Sequence, residues 1–136
     1  MIRMPWKPGP AAAEGPVVVS ATRFVYSRLA YLPAVGWHAW GLRRRWGSRQ
    51  GSIGLLVGSK PLERTTYSIS VWRSEDELKA FLRAPDHLPL IRRFKGRLEA
   101  STSAVWQTDS FQVDEAWEEA TRRLEEPRTA PEPSVT

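Results

Sequence analysis

The chain of 136 residues has no cysteine and only two histidines, His38 and His87. Without cysteine there can be no disulfide, no thiolate nucleophile, and no cysteine-held zinc or iron–sulfur cluster. Two histidines with no H-x-x-x-H spacing exclude a histidine-rich metal site. No apolar run approaches the ~18 residues of a membrane span. No apolar signal-peptide core follows Met1, so a cytoplasmic protein with no membrane partner is expected. The glycine-bearing stretch 51–60, GSIGLLVGSK, lacks the G-x-x-x-x-G-K-[ST] order of a phosphate loop and reads as a strand.

What is present is tryptophan (seven), proline (eleven) and basic charge, net +5. The balance is compatible with an acidic partner, but the runs Arg43–Arg45 and 92–97 read as solvated helix faces, and nucleic acid is not expected. Four prolines fall within residues 1–16, and 126–136 is equally proline-rich and polar. Neither end has an apolar period, so both are expected to be flexible tails around a single domain at 17–125.

Within that domain, residues 17–25, 52–59, 64–72 and 98–108 are β-prone. Residues 31–48 read as a helix opened by Pro33, with Val35, Ala39, Leu42 and Trp46 on its buried stripe. Ser74-x-x-Glu77 has capping-box spacing and starts a second helix carrying Leu78, Phe81 and Leu82, which Pro85 ends. A further helical piece covers 88–97. Asp114 is expected to cap a last helix with Val113, Trp117, Ala120 and Leu124 on one side. The order β-α-β-β-α-β plus a helix predicts an α+β, ferredoxin-like fold: a four-stranded antiparallel sheet with helices on one face and an extra C-terminal helix.

Alternation assigns Tyr67, Ile69 and Val71 to one sheet face, and Thr66, Ser68, Ser70 and Trp72 to the other. The apolar face is expected to carry the helices. The Ser/Thr face, with Trp72 and Phe24, is expected to be open, as a dimer surface or as a solvated one. The RNA-recognition fold shares the element order, but it places several stacking aromatics within its third strand. Here Trp72 alone could stack.

The strand ending in Trp72, the helix start Ser74-Glu75-x-Glu77-Leu78-x-x-Phe81 and the following His87 resemble the dimeric α/β-barrel superfamily, which includes the antibiotic-biosynthesis monooxygenases. Trp40, Arg43, Arg44, Gly47, Ser48, Gly51, Trp72, Ser74, Glu75, Ala80 and Phe81 are similar to a pattern in the spheroidene-monooxygenase-like group. The resemblance implies a homodimer with a pocket for a hydrophobic small molecule between sheet and helices. It also implies a monooxygenase-like activity that uses either no cofactor or haem. The chain departs from the cofactor-free group in lacking a clear Asn-Trp-His set.

His87 shares helical spacing with Ile91 and Phe94, so an inward imidazole could pass protons or bind haem iron. The other reading is a histidine that packs and hydrogen-bonds at a helix boundary. Trp72, Phe81, Tyr67 and Ile91 are the candidate substrate contacts. His38 is read as structural. Trp37 and Trp40 lie across the first helix from its buried stripe; they are exposed, meet a partner subunit, or line a pocket. The alternative to an oxygenase is a non-catalytic dimeric ligand-binding module, or a basic protein that binds an acidic partner.

Overall fold

The computed structural model describes residues 1–84 and 88–125, without the side chains of 88–91. In chain order the elements are β1 (Ile2–Arg3), β2 (Lys7–Pro8), β3 (Val17–Tyr26), α1 (Leu32–Arg44), β4 (Ser52–Lys60), β5 (Thr65–Trp72), α2 (Glu75–Leu82), α3 (Leu88–Lys95), β6 (Leu98–Thr108) and α4 (Val113–Glu125). The four long strands are antiparallel in the order β4-β5-β3-β6, the ferredoxin-like arrangement. Short 3-10 turns lead into α1, follow it at Trp46–Ser48, and link β4 to β5.

Side-chain alternation in the central pair decides the layering. Val19, Ala21, Ile69 and Val71 point to one face and are wholly excluded from solvent. α4 covers them with Ala116, Trp117, Ala120 and Leu124. Each large side chain buried in this way stabilises by roughly 1.5–3 kcal/mol. The opposite face carries Val18, Trp72 and Leu55, and meets Leu78 and Phe81 of α2, Leu42 of α1 and Trp46 beyond it.

This corrects the expected faces. The Ser/Thr face is the one under α1 and α2, and the apolar face takes the C-terminal helix. Period-2 alternation separates the faces correctly but does not say which helix each receives. Trp72 therefore belongs to the interior and offers no surface to a partner.

The N-terminal segment, expected to be a flexible tail, adds to the sheet. β1 and β2 pair with β4 through Ile2↔Ser59, Arg3↔Gly58, Lys7↔Leu55 and Pro8↔Gly54. Met4 N–H donates to the Val57 carbonyl at 2.9 Å, and Gly9 N–H to that of Ile53 at 2.9 Å. Two glycines of β4 make room for bulky rings. A Cβ on Gly54 would lie 2.0 Å from the Trp6 ring, and one on Gly58 would lie 2.9 Å from the Trp117 ring. Trp6 in turn packs on Phe111, ring centroids 5.1 Å apart. Two of the three glycines in the stretch compared with a phosphate loop, Gly54 and Gly58, are indole slots; the third, Gly51, faces Glu77.

Ser74 is the N-cap of α2 and accepts from Glu77 N–H at 3.4 Å. The reciprocal half of the capping box is replaced: Glu77 Oε1 accepts from Arg73 Nη2 at 2.7 Å. α4 begins two residues earlier than expected. Ala116 N–H donates to the Gln112 carbonyl, so Gln112 is the cap and Asp114 lies within the first turn, where its charge favours the helix dipole. The expected C-terminal tail, 126–136, lies outside the described residues.

Gly54→Ala is expected to expel Trp6 and loosen the N-terminal segment at a cost of about 1–3 kcal/mol, the range for overpacking. Urea unfolding measures the loss, and limited proteolysis should then cut within residues 1–16. Ser74→Ala is expected to cost about 1 kcal/mol in the same assay.

Candidate functional site

The apolar residues on the sheet face beneath α1, α2 and α3 form two groups at its ends. At one end Trp46, Trp72 and Phe81 meet mutually, with ring centroids 5.5, 5.1 and 5.1 Å apart. Trp46 and Trp72 are fully buried. The Arg49 guanidinium lies 4.6 Å from the Phe81 ring centre and closes this group from outside. At the other end Tyr26 meets Phe94 of α3 edge-on at 6.3 Å, together with Val35 and Phe24.

Between them the floor is hydroxylic. Along β3 the face reads Val18, Ser20, Thr22, Phe24, and along β5 it reads Trp72, Ser70, Ser68, Thr66. The register sets Ser20 beside Ser70, and Thr22 between Ser68 and Ser103. Val18 to Phe24 spans about 20 Å at the rise of a strand. Ser20, Thr22, Ser68 and Ser103 are half-buried, so the described side chains leave this trough partly open. Ser70 is buried and donates to the Ser20 carbonyl at 3.5 Å.

α1 crosses above the trough. Val35 belongs to one aromatic group and Leu42 to the other. His38 falls between them on the same helical face, and its ring meets Phe94 edge-on at 5.5 Å. His38 is thus the imidazole that the described residues place on the face of α1 turned to the sheet, against Phe94. Its position was legible in the Val35–His38–Leu42 spacing. The expected structural role of His38 is compatible with this packing on Phe94.

Of the expected site residues, the structure brings Trp72 and Phe81 together as the wall of one end. Tyr67 is on the opposite face, under α4. His87 lies outside the described residues, as does the side chain of Ile91. The described residues contain no group of three His, Asp or Glu able to hold a metal ion. No described helix is long and apolar enough to cross a membrane.

Tyr67 has another task. Its hydroxyl donates to Glu125 Oε1 at 2.6 Å, and Lys60 reaches the same oxygen at 3.3 Å. The Tyr67 bond, reinforced by Lys60 and opposed by partial burial, holds the Glu125 carboxyl below its ordinary range. Burial first, then the Glu125 contact, raises the Tyr67 hydroxyl. These contacts pin the end of α4 to β4 and β5. A groove of about 490 Å³ between α4 and β6 is lined by Trp106, Phe111, Glu119 and Arg123 among others. Within it Glu119 accepts from Arg123 at 2.7 Å, and Arg123 stacks 5.0 Å from the Trp106 ring.

No family model matches the sequence, and no curated protein sequence matches it. Solved structures do match. A dimeric ferredoxin-like protein of unknown function from Thermobifida fusca superposes with a TM-score of 0.58 at 12% identity, covering 69% of this chain and 92% of that one. A protein from Chloroflexus aurantiacus, provisionally described as an antibiotic biosynthesis monooxygenase, gives 0.51 at 17% identity over 71% of this chain and 95% of its own. One from Lactobacillus acidophilus, provisionally described as a monooxygenase, gives 0.57 at 12% identity over 74% of this chain. The present chain spans 50% of the length of that last structure. At these identities the likeness is one of fold. The chain has the ferredoxin-like α+β fold of the dimeric ferredoxin-like and antibiotic-biosynthesis-monooxygenase-like structures.

The lowered Glu125 carboxyl gives a pH dependence whose sign is fixed. Its contribution is present above the unfolded glutamate value, near 4.5, and is lost as pH falls through the lower folded value. Glu125→Gln is therefore expected to lower Tm at pH 7, and the gap to wild type should close on acidification below about pH 4.5. Thermal melts across pH 3–7 on both proteins check it.

Proposed function

We propose that the chain is a monooxygenase-like protein that binds a hydrophobic small molecule in the hydroxyl-floored trough, as a homodimer. The observation that carries this reading is the pattern of that face: two aromatic groups with an incompletely covered strip of Ser and Thr between them. A core face with no guest would be expected to continue apolar from end to end, because burying hydroxyls without need costs free energy. An apolar site with a few convergent polar groups is the usual form of a small-molecule pocket. The aromatic ends would take the apolar body of a ligand. The hydroxyls and an imidazole would orient its polar atom and relay a proton.

The fold likeness supports both the activity class and the dimer. Relatives in fold are provisionally described as monooxygenases, and one is described as dimeric. The dimer no longer draws support from an open Trp72 face, since Trp72 is buried. His38 and His87 are the two imidazoles available as proton carrier or iron ligand. Haem remains a candidate cofactor on the resemblance alone. If bound, it would be held by His38 or His87 and would supply oxygen activation.

Nile red, a neutral apolar probe, tests the trough. Wild type is expected to bind it, and Thr22→Trp, which fills the floor, is expected to weaken binding about tenfold or more while Tm stays near wild type (tenfold is 1.4 kcal/mol). Equal binding by both proteins would remove the trough as the site. His38→Ala and His87→Ala, each titrated with haem, identify the histidine that would hold it by loss of the Soret band. Sedimentation equilibrium at micromolar concentration is expected to give twice the chain mass.

A further inference from the structure

The outer side of α1 carries a feature that the trough does not use. Leu29, Pro33, Gly36, Trp37 and Trp40 follow one another along the outside of the turn and helix, and all are exposed. Trp37 is 71% exposed, Trp40 43% and Leu29 53%. The two indoles lie side by side, centroids 6.0 Å apart. From Leu29 to Leu42 there is no formally charged residue if His38 is neutral.

Cations flank this row. Arg28 precedes it and is exposed; Arg44 and Arg45 follow it and are exposed. Arg44 stacks 4.9 Å from the Trp40 ring centre. β2 runs beside the Trp46–Ser48 turn and brings Lys7 to the same end. No carboxylate occurs between Glu14 and Glu63, a stretch that holds six arginines and one lysine.

We propose that the outer face of α1 docks on an anionic lipid surface, with Trp37 and Trp40 in the headgroup boundary and the flanking arginines on lipid phosphates. The layout selects this occupant. Tryptophan is favoured at the membrane–water boundary, where its ring is half in each medium. An interfacial helix binds through buried apolar area together with attraction to anionic headgroups. A nucleic-acid strand needs cations along its whole track and aromatic faces open for bases. Here the middle of the row, about 20 Å at helical rise, is uncharged, so a strand crossing it would find no cation for its phosphates. A second copy would need carboxylates to meet the arginines, and this part of the chain has none. Docking of this kind requires no spanning segment, and it revises the expectation that no membrane is a partner.

The test uses the full chain with vesicles of phosphatidylcholine alone and of phosphatidylcholine mixed with phosphatidylglycerol. Co-sedimentation with the anionic vesicles and a blue shift of tryptophan emission are expected, with little of either on the neutral ones. Trp37→Ser/Trp40→Ser is expected to abolish the shift and lower partitioning about tenfold or more. Arg44→Glu/Arg45→Glu should lower it by about 30-fold or more at low salt. Both sites are exposed, so Tm should hold; single Trp37→Ser serves if the double variant melts early. Absence of wild-type binding to anionic vesicles overturns the proposal, as does equal binding by the variants. It is also overturned if the tryptophan variant dissociates an oligomer in sedimentation velocity without changing vesicle binding, or if a poly-uridine strand is bound in place of the vesicles.

Discussion

Everything in this molecule is arranged around the burial of one row of side chains. Val19 and Ala21 of β3 and Ile69 and Val71 of β5 sit at the centre of the sheet and reach no solvent. The row is apolar, so it must be covered, and α4 covers it with Ala116, Trp117, Ala120 and Leu124. That assignment leaves the reverse face to α1, α2 and α3. Because side chains alternate strictly along a strand, the same register that puts valines under α4 puts serines and threonines under the other helices. The trough is a by-product of the core's geometry, and it becomes a candidate binding site because its ends are aromatic.

Much of this was legible. Strand β6 was read with its observed bounds, and β3, β4 and β5 within a residue or so, because β-branched runs bounded by turn residues leave few alternatives. The start of α2 was carried by Ser74, whose cap needs only local geometry. What failed was long-range. Nothing in a strand's own sequence says which helix will lie on which of its faces, so Trp72 was assigned to an open surface when it is a wall of the interior. The capping box was half right for a similar reason: Arg73, just before the helix, outcompetes the backbone for the Glu77 carboxylate.

The N-terminal segment was missed on principle. Pairing with an edge strand uses backbone groups, which every residue except proline has in full, so composition gives little warning. A trace did exist in the glycines at 54 and 58. Spaced by four along one strand, they mark one face as needing room for large rings, and Trp6 and Trp117 are the rings that enter. The site was legible in part. Trp72 and Phe81 were found together, whereas the contact of His38 with Phe94 joins α1 to α3 and has no local signal in either helix.

The strap formed by residues 2–8 also limits how the sheet can grow. It occupies the free side of β4, and it is short, interrupted at Pro5 and closed by Pro8, a residue with no N–H to offer. One margin of the sheet is thereby blunted against strand addition, a common safeguard against fibrous self-association. The other margin, β6, is long and carries many exposed positions. Among the described residues, β6 is thus the longer margin left for strand-to-strand joining. Two copies joined there would present only blunted margins to a third.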